Sequence, residues 1–200
     1  MKHDSFLYSH YAFVAAVLLF LFVQSNAAAL TVVLPKPALL KKESVAHLKQ
    51  AGNKEDSDQW KLVIFGFAHC KDVCPLSLAN FSALMKAAAE EHIKLGGIFV
   101  TVDPDRDTET VLSSYTENFD PNLSYLRLEG EDLERFKAAF GAEAVFYTKN
   151  AGNQANYQVD HSSTAFLIDP EGRIRVLFDA LEDVGDIAKM LRENREFFKS

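Results

Sequence analysis

Leu62, Val63, Ile64, Phe65, Gly66 and Phe67 form a nearly unbroken apolar run, and the chain's two cysteines follow it closely, at Cys70 and Cys74. A strand with one wet face alternates apolar and polar residues. A continuous run is expected where both faces are covered, as in a parallel sheet flanked by helices. Pro75 suits the first turn of a helix, where its missing N–H costs nothing. Leu78, Phe81, Met85 and Ala88 then recur near one face, which predicts a helix to about His92, ended by Gly96 and Gly97. A strand, a cysteine-bearing loop and a helix in that order make an α/β unit.

The downstream pattern extends that unit. Ile98–Val102 reads as a second buried strand, and Asp103–Asp107 as a loop. Thr108 is placed to cap a helix through Asn118. A short strand over Leu123–Leu128 and a helix over Asp132–Phe140 follow. Val145–Tyr147 and Asn156–Val159 flank a polar excursion. Thr164–Ile168 and Arg173–Phe178, joined through Asp169-Pro170-Glu171-Gly172, carry a hairpin signal. A helix from about Glu182 to Phe197 closes the chain. This order predicts an α/β, thioredoxin-like sandwich over residues 60–200, with a central mixed sheet flanked by helices. Residues 30–59 read as an extension and loop, because Pro35 and Pro37 oppose regular structure and Lys54–Gln59 is a polar run.

The N-terminus carries a different pattern. From Ser5 to Pro35 there is no Lys, Arg, Asp or Glu, and Tyr11–Val23 is the most apolar part. Lys2 precedes it and small residues to Ala29 follow, as in a secretory signal. The run is also close to the length of an uncleaved membrane anchor. Either reading of residues 1–29 puts the remainder outside the cytoplasm, with the periplasm the expected compartment. A net charge of -7, without a basic stripe, excludes nucleic acid as an expected partner.

The chemistry concentrates in three blocks. Cys70 and Cys74 stand at i and i+4 at a strand-to-helix junction. A helix N-terminus favours the thiolate, which is both the nucleophile and the soft metal ligand. A structural disulfide is the alternative, but so short a loop is worth only about 2 kcal/mol, against about 4.7 for a loop of 100 residues. The second block is Tyr157-Gln158-Val159-Asp160-His161-Ser162-Ser163. In a thioredoxin-like sandwich the loop before the hairpin strand lies beside the cysteine loop, which puts His161 near the thiols. Two thiolates and one imidazole suit Cu(I), and suit Zn(II) only with a fourth ligand. His69 is the rival imidazole, less favoured because it adjoins Cys70 along the strand. Asp72 stands inside the cysteine loop, either tuning the thiolates or solvated. The third block, Asp103-Pro104-Asp105-Arg106-Asp107-Thr108, follows a strand at the end of the sheet where α/β sites are built. It reads as an ion-paired turn with a helix cap, or as support for the site and its docking face.

Together these blocks resemble the Sco/SenC family of copper-binding cytochrome c oxidase assembly factors. The matching segments are Gly66-Phe67-Ala68-His69-Cys70-Lys71-Asp72-Val73-Cys74-Pro75, Thr101–Thr108 and Tyr157–Ser162. The resemblance implies copper bound by Cys70, Cys74 and His161, with Cu(I) favoured and Cu(II) allowed. It implies delivery to the copper-bearing subunit of the oxidase, or to another copper protein, and a membrane anchor. Lys71 departs from the pattern, which has proline after the first cysteine. The implied function is a metallochaperone and not an enzyme. A thiol–disulfide oxidoreductase with Cys70 and Cys74 as its redox pair is the second hypothesis, and a peroxidase the least supported.

Overall fold

The computed structural model describes residues 31–51, 59–70, 73–147, 157–179, 181 and 184–198, with backbone alone at 73–75. The leader or anchor expected at residues 1–29, and Lys71 and Asp72, lie outside these residues. Among the described residues no helix is long and apolar enough to cross a membrane.

The elements in chain order are β1 (Thr31–Leu39), α1 (Lys42–Ala51), β2 (Trp60–Gly66), α2 (Val73–Glu90), β3 (Leu95–Thr101) and α3 (Glu109–Glu117). They continue with β4 (Leu123–Leu126), α4 (Gly130–Phe140), β5 (Ala144–Tyr147), β6 (Gln158–His161), β7 (Ala165–Ile168), β8 (Arg173–Phe178) and α5 (Val184–Glu193). A 3-10 turn over Arg195–Phe198 follows. The main sheet has six strands in the order β1-β8-β7-β2-β3-β4. The β2–β3 and β3–β4 pairs are parallel, and the β2–β7, β7–β8 and β1–β8 pairs are antiparallel. Strands β5 and β6 form a separate antiparallel ribbon in which Ala144 opposes His161.

The two faces of β2 explain its unbroken apolar run, because each supplies a different core. Trp60, Leu62 and Ile64 pack with α2, α3 and α5 through Leu78, Phe81, Leu84, Leu112, Ile187 and Leu191. Val63, Phe65 and the following Phe67 pack with α1 and α4 through Leu48, Phe136 and Phe140. Every residue of β2 is buried. The sheet is mixed and carries helices on both faces, as the sequence predicted.

Two expectations fail for local reasons. Residues 31–51 are regular, because β1 completes the sheet and Leu48 of α1 enters the core. Pro35 and Pro37 are accommodated because β1 is an edge strand whose register shifts between Val33 and Ala38. The prolines fall in that irregular stretch, where no ladder N–H is required.

Gly96 and Gly97 do not end α2 but lie inside β3. The helix ends at Glu90, and the chain leaves it through His92, a non-glycine residue at φ 57°. The His92 N–H donates to the Ala89 carbonyl at 3.0 Å and the Ile93 N–H to the Ala88 carbonyl at 2.9 Å. Those two bonds make a Schellman closure, which satisfies the last carbonyls without glycine. Gly97 serves packing instead, since a Cβ there would lie 1.8 Å from Cζ of Phe81 on α2.

Candidate metal centre

Cys70 sits in a tight turn at the C-terminal end of β2, closed by its own N–H donating to the Phe67 carbonyl at 3.2 Å. The thiol is half-buried and packs on the core that contains Phe67. Cys74 lies in the first turn of α2. His161 is the last residue of β6, and its ring meets the Phe67 ring edge-on at 5.7 Å between centroids. His161 also lines a narrow cleft with Ser77 of α2, Ser163 and Leu181. The turn carrying Cys70, the start of α2 and the end of β6 therefore meet at one end of the sheet. Among the described residues no three metal-ligating side chains form a cluster. The expected trio includes Cys74, whose side chain lies outside them.

The two histidines are held differently. Nδ1 of His161 lies 3.0 Å from the Ser162 carbonyl. A donor there puts the lone pair on Nε2, the arrangement common for metal-bound imidazoles. Nδ1 of His69 instead lies 3.2 Å from Oδ1 of Asp107, and its side chain is 48% exposed. His69 thus leans on the acidic loop, away from the cleft that His161 lines.

The acidic loop is more than an ion-paired turn. Thr108 does cap α3, accepting from the Val111 N–H. Asp103 and Asp107 are both wholly buried. Asp107 Oδ2 accepts from the Ala68 N–H at 2.9 Å and from the Thr101 hydroxyl at 2.6 Å. Asp103 accepts from Arg106 Nε and from the Tyr157 hydroxyl. The Arg106 guanidinium stacks on the Tyr157 ring at 3.7 Å. Arg127, from beyond β4, donates to the Asp107 and Pro104 carbonyls, both at 2.9 Å. Burial, and then the hydrogen bond to Asp103, push the Tyr157 phenol well above its ordinary value, so it stays a donor at any physiological pH.

Sequence reasoning assigned no role to Thr101, Tyr157 or Arg127. The first two stood inside blocks already singled out, and a tyrosine four residues before His161 was the available signal. Arg127 has a local ion-pair partner in Glu129, but its bonds to the acidic loop go to backbone carbonyls 20 and 23 residues away, which no local pattern marks.

A profile of the SCO1/SenC family matches residues 45–195. The chain belongs to the SCO1/SenC family. A SCO2-like protein of Rickettsia prowazekii is 36% identical over 132 residues, covering 63% of this chain and 63% of that protein's length. The solved structure of ScoI from Bradyrhizobium japonicum with copper bound is 26% identical with a TM-score of 0.57, covering 78% of this chain and 97% of that one. That of apo Sco1 from Thermus thermophilus is 25% identical with a TM-score of 0.64, covering 84% of this chain and 99% of that one. The SCO1/SenC match includes all three sequence blocks and reaches upstream of residue 60 to take in α1 from Val45 onward.

Proposed function

We propose that this SCO1/SenC protein is a copper metallochaperone, holding one Cu(I) through Cys70, Cys74 and His161 and passing it to the copper-bearing subunit of cytochrome c oxidase outside the cytoplasm. The observation that supports the reading is that His161 packs on Phe67, whose carbonyl closes the Cys70 turn, and shares a cleft with Ser77 near the start of α2. The copper-bound state of the Bradyrhizobium relative supports copper as the cargo. Residues 1–29 serve as a signal or anchor in this reading, and residues 60–200 supply the ligands.

The ligand chemistry suits transfer. Two thiolates and one imidazole satisfy soft Cu(I) with a low coordination number, leaving an edge open to an incoming ligand. The start of α2 favours the negative charge of the thiolates. Oxidation of the pair to a disulfide removes both sulfur ligands, which ties copper retention to redox state. The same cysteines could exchange disulfides with a target, and His161 discriminates, since exchange needs no imidazole ligand. The test is Cu(I) competition against a chromophoric chelator for the reduced wild type, Cys70→Ser, Cys74→Ser and His161→Ala. One Cu(I) per wild-type chain is expected, held much more weakly by each variant. Binding indifferent to either cysteine refutes the chaperone reading. Binding indifferent to His161, with thiol exchange intact, favours the reductase.

A further inference from the structure

The loop from Asp103 to Asp107 touches both segments that carry the candidate ligands. On one side is the Cys70 turn. Asp107 Oδ2 accepts from the backbone of Ala68, two residues before Cys70, and Oδ1 faces His69. On the other side is the His161 strand. Arg106 donates through Nη1 to the Tyr157 carbonyl at 3.1 Å, and the Tyr157 hydroxyl donates to Asp103. Tyr157 directly precedes β6, which ends at His161.

Thr101 joins the two halves. Its hydroxyl donates to Asp107 and accepts from the Asp103 N–H at 3.0 Å. Phe67 lies between them, with Arg106 5.5 Å from its ring centroid and His161 against its edge. Among the described residues no acceptor reaches the buried Nη2 of Arg106. The guanidinium therefore keeps its place over Tyr157 at the expense of one hydrogen bond. Buried ionic groups are poor stabilisers relative to apolar packing, but their directional bonds constrain geometry tightly.

We infer that this loop is the positioning element of the copper site, with Asp107 and Tyr157 as positioning residues that hold the Cys70 turn and the His161 strand at a fixed separation. The inference rests on the copper reading above. Metal–ligand distances tolerate only a few tenths of an ångström, so two ligand segments from distant parts of the chain need a common brace.

The test compares Tyr157→Phe, Asp107→Asn and Leu48→Ala with the wild type, measuring Cu(I) affinity by chelator competition and urea-unfolding midpoint. Tyr157→Phe removes one hydroxyl and keeps the ring under Arg106. It also keeps the inference testable if Asp107→Asn fails to fold. Leu48→Ala is the control: Leu48 is a core residue of α1 that lines a cleft at the opposite end of β2, with Gln59 and Lys61. Tyr157→Phe and Asp107→Asn are expected to weaken Cu(I) binding by about tenfold or more, as losses around metal ligands commonly do. Leu48→Ala should lower the unfolding midpoint and leave affinity unchanged. Equal affinity in wild type, Tyr157→Phe and Asp107→Asn overturns the inference alone, as does a loss in Leu48→Ala matching theirs. Absence of Cu(I) binding by the wild type overturns the copper reading and the inference together.

Discussion

Gly97→Ala replaces one hydrogen with a methyl group in the middle of β3. A Cβ at that position would lie 1.8, 2.4 and 2.9 Å from three ring carbons of Phe81, where ordinary contact begins at 3.4 Å. Phe81 is fully buried on α2, so its ring cannot swing into solvent. Either the ring leaves its rotamer or α2 lifts from the sheet. Overpacking of this kind costs 1–3 kcal/mol in general, and an overlap this deep belongs at the top of that range, about 3 kcal/mol. For a domain of this size that corresponds to a fall in Tm of roughly 6–12 °C. Urea unfolding followed by far-UV circular dichroism should show a lower midpoint with an unchanged slope. Phe81→Leu in the Gly97→Ala background should then cost less than Phe81→Leu alone, because the smaller side chain relieves the clash. The two substitutions should be coupled by about 0.5–3 kcal/mol. A Gly97→Ala protein that unfolds with the wild type, or two penalties that simply add, would refute the packing argument. Because α2 also carries Cys74 in its first turn, Cu(I) affinity is worth measuring in the same variants.

Alkaline pH tests the buried phenol. Tyr157 has its pKa raised by burial and then by Asp103, so the folded state holds its proton more tightly than the unfolded chain. That stability is complete below the unfolded value near 10 and is lost as pH rises towards the folded one, at about 1.4 kcal/mol per pH unit. Tyr157→Phe should therefore show a shallower decline of urea midpoint between about pH 10 and 11. Tyr125, raised chiefly by its hydrogen bond with Glu109, should keep some slope in the variant. Identical slopes in the two proteins would contradict the assignment. At the start of α3, Thr108→Ala removes the acceptor for the Val111 N–H and should destabilise by about 1 kcal/mol. Thr108→Asn should restore most of that loss, and no recovery would show that the cap is not the cause.

The sequence was most legible where one property repeats along the chain. The unbroken run of β2, the spaced apolar residues of α2 and the turn before β8 each declare their structure through periodicity or turn chemistry. The three motif blocks were equally plain, because cysteine, histidine and clustered aspartate are rare outside special settings. Errors arose where a residue's local preference yielded to its neighbours in space. Pro35 and Pro37 oppose a strand in isolation but fit an irregular edge. The pair Gly96-Gly97 resembles a helix stop until Phe81 is seen against Gly97. His69 and His161 could be ranked by argument, but the partner that draws His69 aside, Asp107, stands 38 residues along the chain.

The sequence by itself determined the α/β class, the positions of the principal elements, the family resemblance and the candidate ligands, since all of these follow from pattern and residue chemistry. Only the tertiary structure decided how the ligand segments are braced. The bonds from Asp107 to Ala68, from Tyr157 to Asp103 and from Arg106 to Tyr157 span 39, 54 and 51 residues. No local propensity encodes such pairings. They exist because parallel β2 and β3 bring the ends of both strands together, and a buried carboxylate there must take whatever donors the fold presents.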